Sequence, residues 1–455
     1  MGWRIRLPEV TRKNRYIALG VLLFAQAVFF ATFFPNPPAV IADNTRYEVG
    51  GWHLATGRGL SLPRSVSDDP DVRSWACSRH PEACDSEDGS YPVAIYPPGY
   101  QFYIAGIYKV FGRSLYALLY SQLVLLLVMF AIYEALAARL LDKIGYWFCV
   151  AVGVTYPYLA RQATIVLSDH VHAVLLLASL SMLVLMRPGR VRGVVFGLTL
   201  ASAILVRPYS LLAVPLLFLV PAVRRGAQMT WSEWFVAGIA TAIPFLLWLA
   251  RNEEVFGRFI PISTQGLGTS LYLNKLEWTT GSVFDAEAST RTIAELNTLA
   301  GGDFTTWRAN REIQIHAVAW MKDHPGLLFL GILKRIPRLW VSMGYHGGGI
   351  SRAFPILVLQ LGGLLALGCG GLWIKRRDAR WAAFALTIVV TWAFLLHTPA
   401  EARRTLPLRL PMALFAGAAV SAMLTEWSKR RDRVRSVRAP ATEASAVGAD
   451  DLNIV

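Results

Sequence analysis

The chain has 455 residues, 54% of them hydrophobic and 16% charged, with a formal net charge of +15. Such a composition excludes an ordinary soluble domain. The positive charge sits in short clusters between apolar runs, which points to membrane topology rather than to nucleic-acid binding.

The first long apolar run, residues 16–34, carries no charged side chain. At about 1.5 Å per helical residue it spans roughly 30 Å of hydrocarbon. It exceeds the apolar core of a secretory leader and no small-residue cleavage site follows it, so it reads as a membrane helix. Further spans are expected near residues 114–137, 144–160, 169–186, 191–206, 208–222, 234–250, 353–374, 381–397 and 406–424. The segments within 191–222 also read as one bent hairpin. The expectation is an all-α polytopic membrane protein with about ten transmembrane helices.

Orientation follows from "RPGRVR", the arginines at 224–225, "KRRDAR" and the basic segments near both ends, which fall on one side of such a bundle. The positive-inside rule makes that side cytoplasmic, with both termini inside, as in a bacterial inner (plasma) membrane. Residues 1–424 then form the membrane domain. Residues 425–455 form a basic, then small and polar, tail expected to be disordered and to meet anionic lipid.

Two long segments remain outside, residues 35–113 and 251–352. Their Gly, Pro and charge content excludes further spans, their aromatic content argues against disorder, and long ordered loops usually carry function. Cys77 and Cys84, in "CSRHPEAC", suit a disulfide in an oxidising compartment; a metal pair with His80 between them is the competing reading.

Asp43 follows the outer end of the first helix, where a carboxylate serves either as a helix cap or as a functional acid at the membrane edge. After it come, in order, "YEVGGWHLATGRGLS", "YPPGYQFYIAGIYKVFGRS", "LVRPYSLLAVPLLFL", "RNEEVFGRFIPISTQGLGTSLYLN", "HPGLLFLGILKRIPRLW" and "EARRTLPLRLPMALFAG". Together with Asp43 this order resembles the polyprenol-phosphate-sugar-dependent glycosyltransferases of the C-type superfamily. More specifically, it resembles the bacterial relatives of the dolichyl-phosphate-mannose protein mannosyltransferases and the lipid A aminoarabinose transferases. Two departures are Asn44, where many relatives carry Glu, and Thr405, where they carry Tyr.

The resemblance implies the C-type fold, two outer loops with interfacial helices, and an inverting single displacement from a polyprenyl-phosphate-linked sugar to a glycan, lipid or protein acceptor. Asp43 would be the general base, with Arg207 and Arg404 in the clamp on the departing phosphate. Arg207 alone also reads as an arginine snorkelling from a helix end. Lys334, Arg335 and Arg338 recur at helical spacing opposite Leu328, Ile332, Ile336 and Trp340. That pattern predicts an interfacial helix whose cations meet either lipid headgroups or the donor phosphate. Tyr96, Asp169, His170 and Arg251 are candidate substrate-positioning groups, Arg251 alternatively tying a loop through backbone carbonyls. No cofactor is certain from the sequence; a divalent metal at Asp169 and His170 is the alternative, and it requires a third ligand that spacing does not supply. A secondary transporter would show inverted repeats, which do not stand out, and an O-antigen ligase or polymerase would centre on a large late outer loop, whereas here the Asp43 loop comes first.

Overall fold

The computed structural model describes residues 7–38, 40, 43–264, 268, 270–273, 286–301, 303–341, 354–397 and 402–438. Helix α1 (Arg12–Phe33) starts where Thr11 accepts a hydrogen bond from the Asn14 amide at 3.3 Å. The chain continues through α2 (Asp43–Ala55), α3 (Pro70–Arg79), α4 (Gly99–Phe111), α5 (Leu115–Leu140), α6 (Lys143–Val154), α7 (Tyr158–Ala163), α8 (Ser168–Leu185), α9 (Arg190–Val206), α10 (Ala213–Leu219), α11 (Pro221–Ala227) and α12 (Trp231–Phe256). Helices Ala286–Ala300, Trp307–Asp323, Pro325–Val341, Phe354–Lys375, Ala382–Leu395 and Leu406–Arg438 follow. A two-stranded antiparallel ribbon pairs β1 (Ser61–Leu62) with β2 (Tyr91–Pro92).

Among the described residues, α1, α5, α8, α12 and the helix ending the described chain are long and apolar enough to cross a membrane. Shorter apolar helices occupy the expected spans at 144–160, 353–374 and 381–397, and α9 that at 191–206. The span expected at 208–222 is not one helix. A 3-10 turn, Pro208–Leu212, precedes α10, and α11 leaves it at an angle of 81°. Pro221 opens α11, and a ring nitrogen without an N–H cannot continue the preceding helix. In the expected tail, residues 425–438 continue the helix that begins at Leu406, with Glu426 and Arg430 paired one turn apart at 3.3 Å, and residues 439–455 lie outside the described residues.

Small residues let the helices approach closely, as in lipid-embedded bundles. A Cβ added to Gly197 of α9 would stand 2.4 Å from the Ala237 carbonyl oxygen of α12. Large apolar side chains such as Phe24, Phe235 and Leu247 are exposed on the opposite faces, where lipid rather than water is the natural solvent.

One end of the bundle, expected to face outward, carries α2, α3, the ribbon, α4 and the helices between Ala286 and Val341; it is called the loop end below. Leu62, Val72, Ala76, Tyr91, Val93 and Ile95 form a small core there with Trp248, Phe256 and Ile260 from α12 and the segment after it. Cys77 and Cys84 are joined by a disulfide beside this core. Asp69 connects the two loop-end segments. One carboxylate oxygen accepts from the Val72 amide at 3.2 Å, capping α3; the other accepts from the Trp307 amide at 2.7 Å, at the start of helix Trp307–Asp323.

Candidate functional site

The site is built around the first turn of α8. Asp169 is 1% exposed and lies where the helix N-terminus favours negative charge. Arg207 ends α9 in an extended conformation because Pro208 disfavours helical geometry at the residue before it. Its guanidinium donates to Asp169 Oδ2 at 2.7 Å, so the two groups form an ion pair at the loop end. One turn further along α8, His172 Nε2 lies 2.6 Å from Ser210 Oγ and Nδ1 lies 3.3 Å from the Tyr209 hydroxyl.

Helix α2 covers this mouth. Ser168 Oγ donates to the Tyr47 hydroxyl at 3.4 Å. The Tyr47 ring stacks on Tyr96 at 4.5 Å and meets Tyr100 edge-on at 5.2 Å. Arg46 donates to the Tyr96 hydroxyl at 3.4 Å, so Tyr96 is part of the aromatic wall. Asp43 is the first residue of α2, one turn before Tyr47 on the backbone; its side chain lies outside the described residues. Tyr100, Tyr158 and Tyr209 stand within electrostatic reach of Asp169, and Tyr209 also within that of Arg207 and Arg404.

A second group of cations backs this centre. Arg404 is half-buried in the 3-10 turn Ala402–Thr405. Arg409, 1% exposed, donates to Thr405 Oγ1 at 3.1 Å, to the Trp340 carbonyl at 3.2 Å and to the Tyr156 hydroxyl. Its guanidinium also lies over Tyr158 at 4.5 Å. In a low-dielectric interior a guanidinium survives only with such a set of acceptors and aromatic faces.

The expected cationic face of Lys334, Arg335 and Arg338 is divided. Lys334 is exposed, whereas Arg335 is 1% exposed and donates to the Leu396 carbonyl at 3.0 Å; the Arg338 side chain lies outside the described residues. Leu327, Phe329, Leu330 and Leu333 are the exposed side chains instead. Next to lipid the apolar face turns out and the arginine turns in.

Two other candidates are placed away from the mouth. His170 Nε2 lies 3.1 Å from the Gln122 carbonyl of α5, so its ring belongs to the α5–α8 contact. Arg251 donates to the carbonyls of Val93 at 3.1 Å and Leu60 at 3.3 Å, and stacks near Trp248 and Phe256. It clamps the ribbon of the first loop-end segment to α12. Among the described residues no three His, Cys, Asp or Glu side chains converge as a metal-ligand set.

An apolar cavity of about 320 Å³ opens beside the ion pair, lined among others by Tyr103, Leu125, Val171, Leu175, Ser202 and Val206. Val171 is two residues from Asp169, Val206 is adjacent to Arg207, and the opening is marked by exposed Phe102 and Ser202. The arrangement therefore offers a charged, aromatic-walled mouth next to a lipid-facing slot.

No protein-family profile and no curated protein matches the chain. Among solved structures, it is similar to the oligosaccharyltransferase of Archaeoglobus fulgidus in its apo form, with 12% identity and a TM-score of 0.50 over 94% of this chain and 52% of that one. The chain has the C-type glycosyltransferase fold. Two further structures of that archaeal enzyme also match at 14% identity and a TM-score of 0.48. One, named AglB, is in complex with an inhibitory peptide and a dolichol-phosphate, with 94% of this chain and 53% of that one covered. The other is tethered by a disulfide to an acceptor peptide containing the NVT sequon, with 93% and 51% covered. The chain spans about half the length of these structures.

Within this C-type fold, sequence reasoning passed over Tyr47, His172, Tyr209 and Arg409. The legible signal for Arg409 was a charged residue inside the apolar run 406–424, the one kind of residue that always needs a reason there. Tyr47, Tyr209 and His172 gave no such signal, since an aromatic or histidine in an apolar segment is compatible with simple packing.

Proposed function

We propose that this protein is a membrane glycosyltransferase that moves a monosaccharide from a polyprenyl-phosphate donor to an acceptor on the outer face. The observation that carries this reading is the Asp169–Arg207 pair at an aromatic mouth beside an apolar, lipid-facing cavity. A lipid phosphate sugar has the matching shape: an apolar chain, one anionic group and a sugar carried next to it.

In this reading Asp43 removes the proton from the acceptor hydroxyl. The acceptor oxygen then bonds to the anomeric carbon as the bond from that carbon to the phosphate oxygen breaks, inverting the configuration. The phosphate leaves with added negative charge, which Arg207 and Arg404 stabilise where water is scarce and the interaction correspondingly strong. Asp169 holds Arg207 in place between turnovers. The isoprenoid chain occupies the cavity between α4, α5, α8 and α9. Tyr96 and its stacked partner Tyr47 give the sugar an aromatic face.

The test is transfer in proteoliposomes loaded with a polyprenyl-phosphate-linked sugar and extracts of envelope acceptors. Donor consumption that requires Arg207 and Asp43 supports the reading. Intact donor under all conditions, with a folded protein, refutes it.

A further inference from the structure

The contact between α8 and the turn after α9 is made twice, at matched spacing. Asp169 pairs with Arg207, and His172 pairs with Ser210. On α8, residues three apart lie on one face. Arg207 precedes the 3-10 turn Pro208–Leu212, and Ser210 within the turn lies three residues after it, the same interval as on α8. The Arg207 backbone, held extended by Pro208, leads directly into this turn.

His172 does that seating. It is 0% exposed, and both ring nitrogens are engaged by consecutive residues of the turn, Nε2 by Ser210 Oγ at 2.6 Å and Nδ1 by the Tyr209 hydroxyl at 3.3 Å. The Tyr209 ring also meets the imidazole edge-on, with centroids 4.7 Å apart. A neutral imidazole donates from one nitrogen and accepts at the other, and two hydroxyls, each able to do either, complete both bonds.

We propose that His172 is a positioning residue for the donor phosphate: through Ser210 and Tyr209 it fixes the turn that aims the Arg207 guanidinium. It touches no substrate. This rests on the reading of Arg207 as a phosphate ligand, and it goes beyond that reading in assigning a role to a histidine that the sequence pattern left unexplained. An arginine held only by its carboxylate partner swings with its long side chain; one whose backbone is also fastened binds the anion without a further loss of freedom.

The test is a double-mutant cycle read by the affinity of the purified, nanodisc-embedded protein for a synthetic polyprenyl phosphate, with a neutral polyprenol as control. His172→Leu should weaken phosphate binding by about tenfold while leaving polyprenol binding unchanged. Ser210→Ala should move in the same direction. His172→Gln, whose amide nitrogen reaches the position of Nε2, should restore most of the affinity. In an Arg207→Ala background, His172→Leu should have no further effect, because there is no guanidinium left to aim.

Full phosphate affinity in both His172→Leu and Ser210→Ala overturns the proposal. So does an undiminished effect of His172→Leu in the Arg207→Ala background, which would mark a general packing role. If Arg207→Ala alone leaves phosphate binding intact, the phosphate assignment itself fails, and that result is distinguishable from the other two.

Discussion

Asp69 joins the two loop-end segments through both of its carboxylate oxygens, beside the Asp71–Arg308 ion pair and the Trp75–Trp307 ring contact, and removing it has a calculable consequence. Its two carboxylate oxygens satisfy one amide each, Val72 at 3.2 Å and Trp307 at 2.7 Å. Each is an orphan donor at a helix start, worth ~1–2 kcal/mol when a charged oxygen accepts it. Asp69→Ala therefore costs the loop end ~2–4 kcal/mol. Asp69→Asn keeps one acceptor oxygen and replaces the other with a donor, so it costs about half as much. Amide hydrogen exchange by mass spectrometry reads the local opening directly. Exchange in α3 and in helix Trp307–Asp323 should accelerate roughly 30- to 700-fold in the alanine variant and roughly 5- to 30-fold in the asparagine variant, with α5 unchanged. An alanine variant that speeds exchange in only one of the two helices, or an asparagine variant as damaged as alanine, refutes the double cap.

His53 is buried against Ser61, and burial first, then the nearby Arg58, push its pKa below the ordinary 6.5. The native state refuses a proton that the unfolded chain accepts. Its contribution to stability is thus complete above about pH 6.5 and lost as pH falls through the lowered native value. Melting curves taken from about pH 7.5 to about pH 5 should show that loss, and His53→Gln should flatten it. Arg251→Gln should loosen the β1–β2 ribbon, seen as faster proteolysis between Leu60 and Val93, without changing donor affinity; weakened donor binding with an intact ribbon would instead place Arg251 at the substrate. Arg404→Ala should weaken binding of a polyprenyl phosphate at least tenfold (about 1.4 kcal/mol or more), and unchanged affinity would remove Arg404 from the clamp.

The membrane helices were legible because hydrocarbon selects apolar runs of a given length, and each expected span contains helix. The interruption at 208–222 was written in Pro208, Pro215 and Pro221, but hydropathy alone merges such pieces. The helix beyond residue 424 was missed for the converse reason: a fall in hydropathy marks where a helix leaves the membrane, not where its hydrogen bonds end. Direction was the least legible property. His170 and His172, two residues apart, face α5 and the Arg207 turn respectively. Arg335 and Lys334, adjacent in sequence, end up buried and exposed. Which side of an amphipathic helix turns inward depends on whether water or lipid lies outside, and the residue pattern is the same in both cases. The ion pair itself joins residues 38 positions apart and is a tertiary fact.

A lipid-phosphate donor used with Asp43 as base is tested by mass spectrometry of the lipids that copurify with the native protein and with Asp43→Asn. A polyprenyl-phosphate sugar should be enriched on the variant, bound but not discharged, and its mass identifies the sugar. Only bulk phospholipid on both proteins, with Asp43→Asn as active as the native chain in transfer, would contradict it.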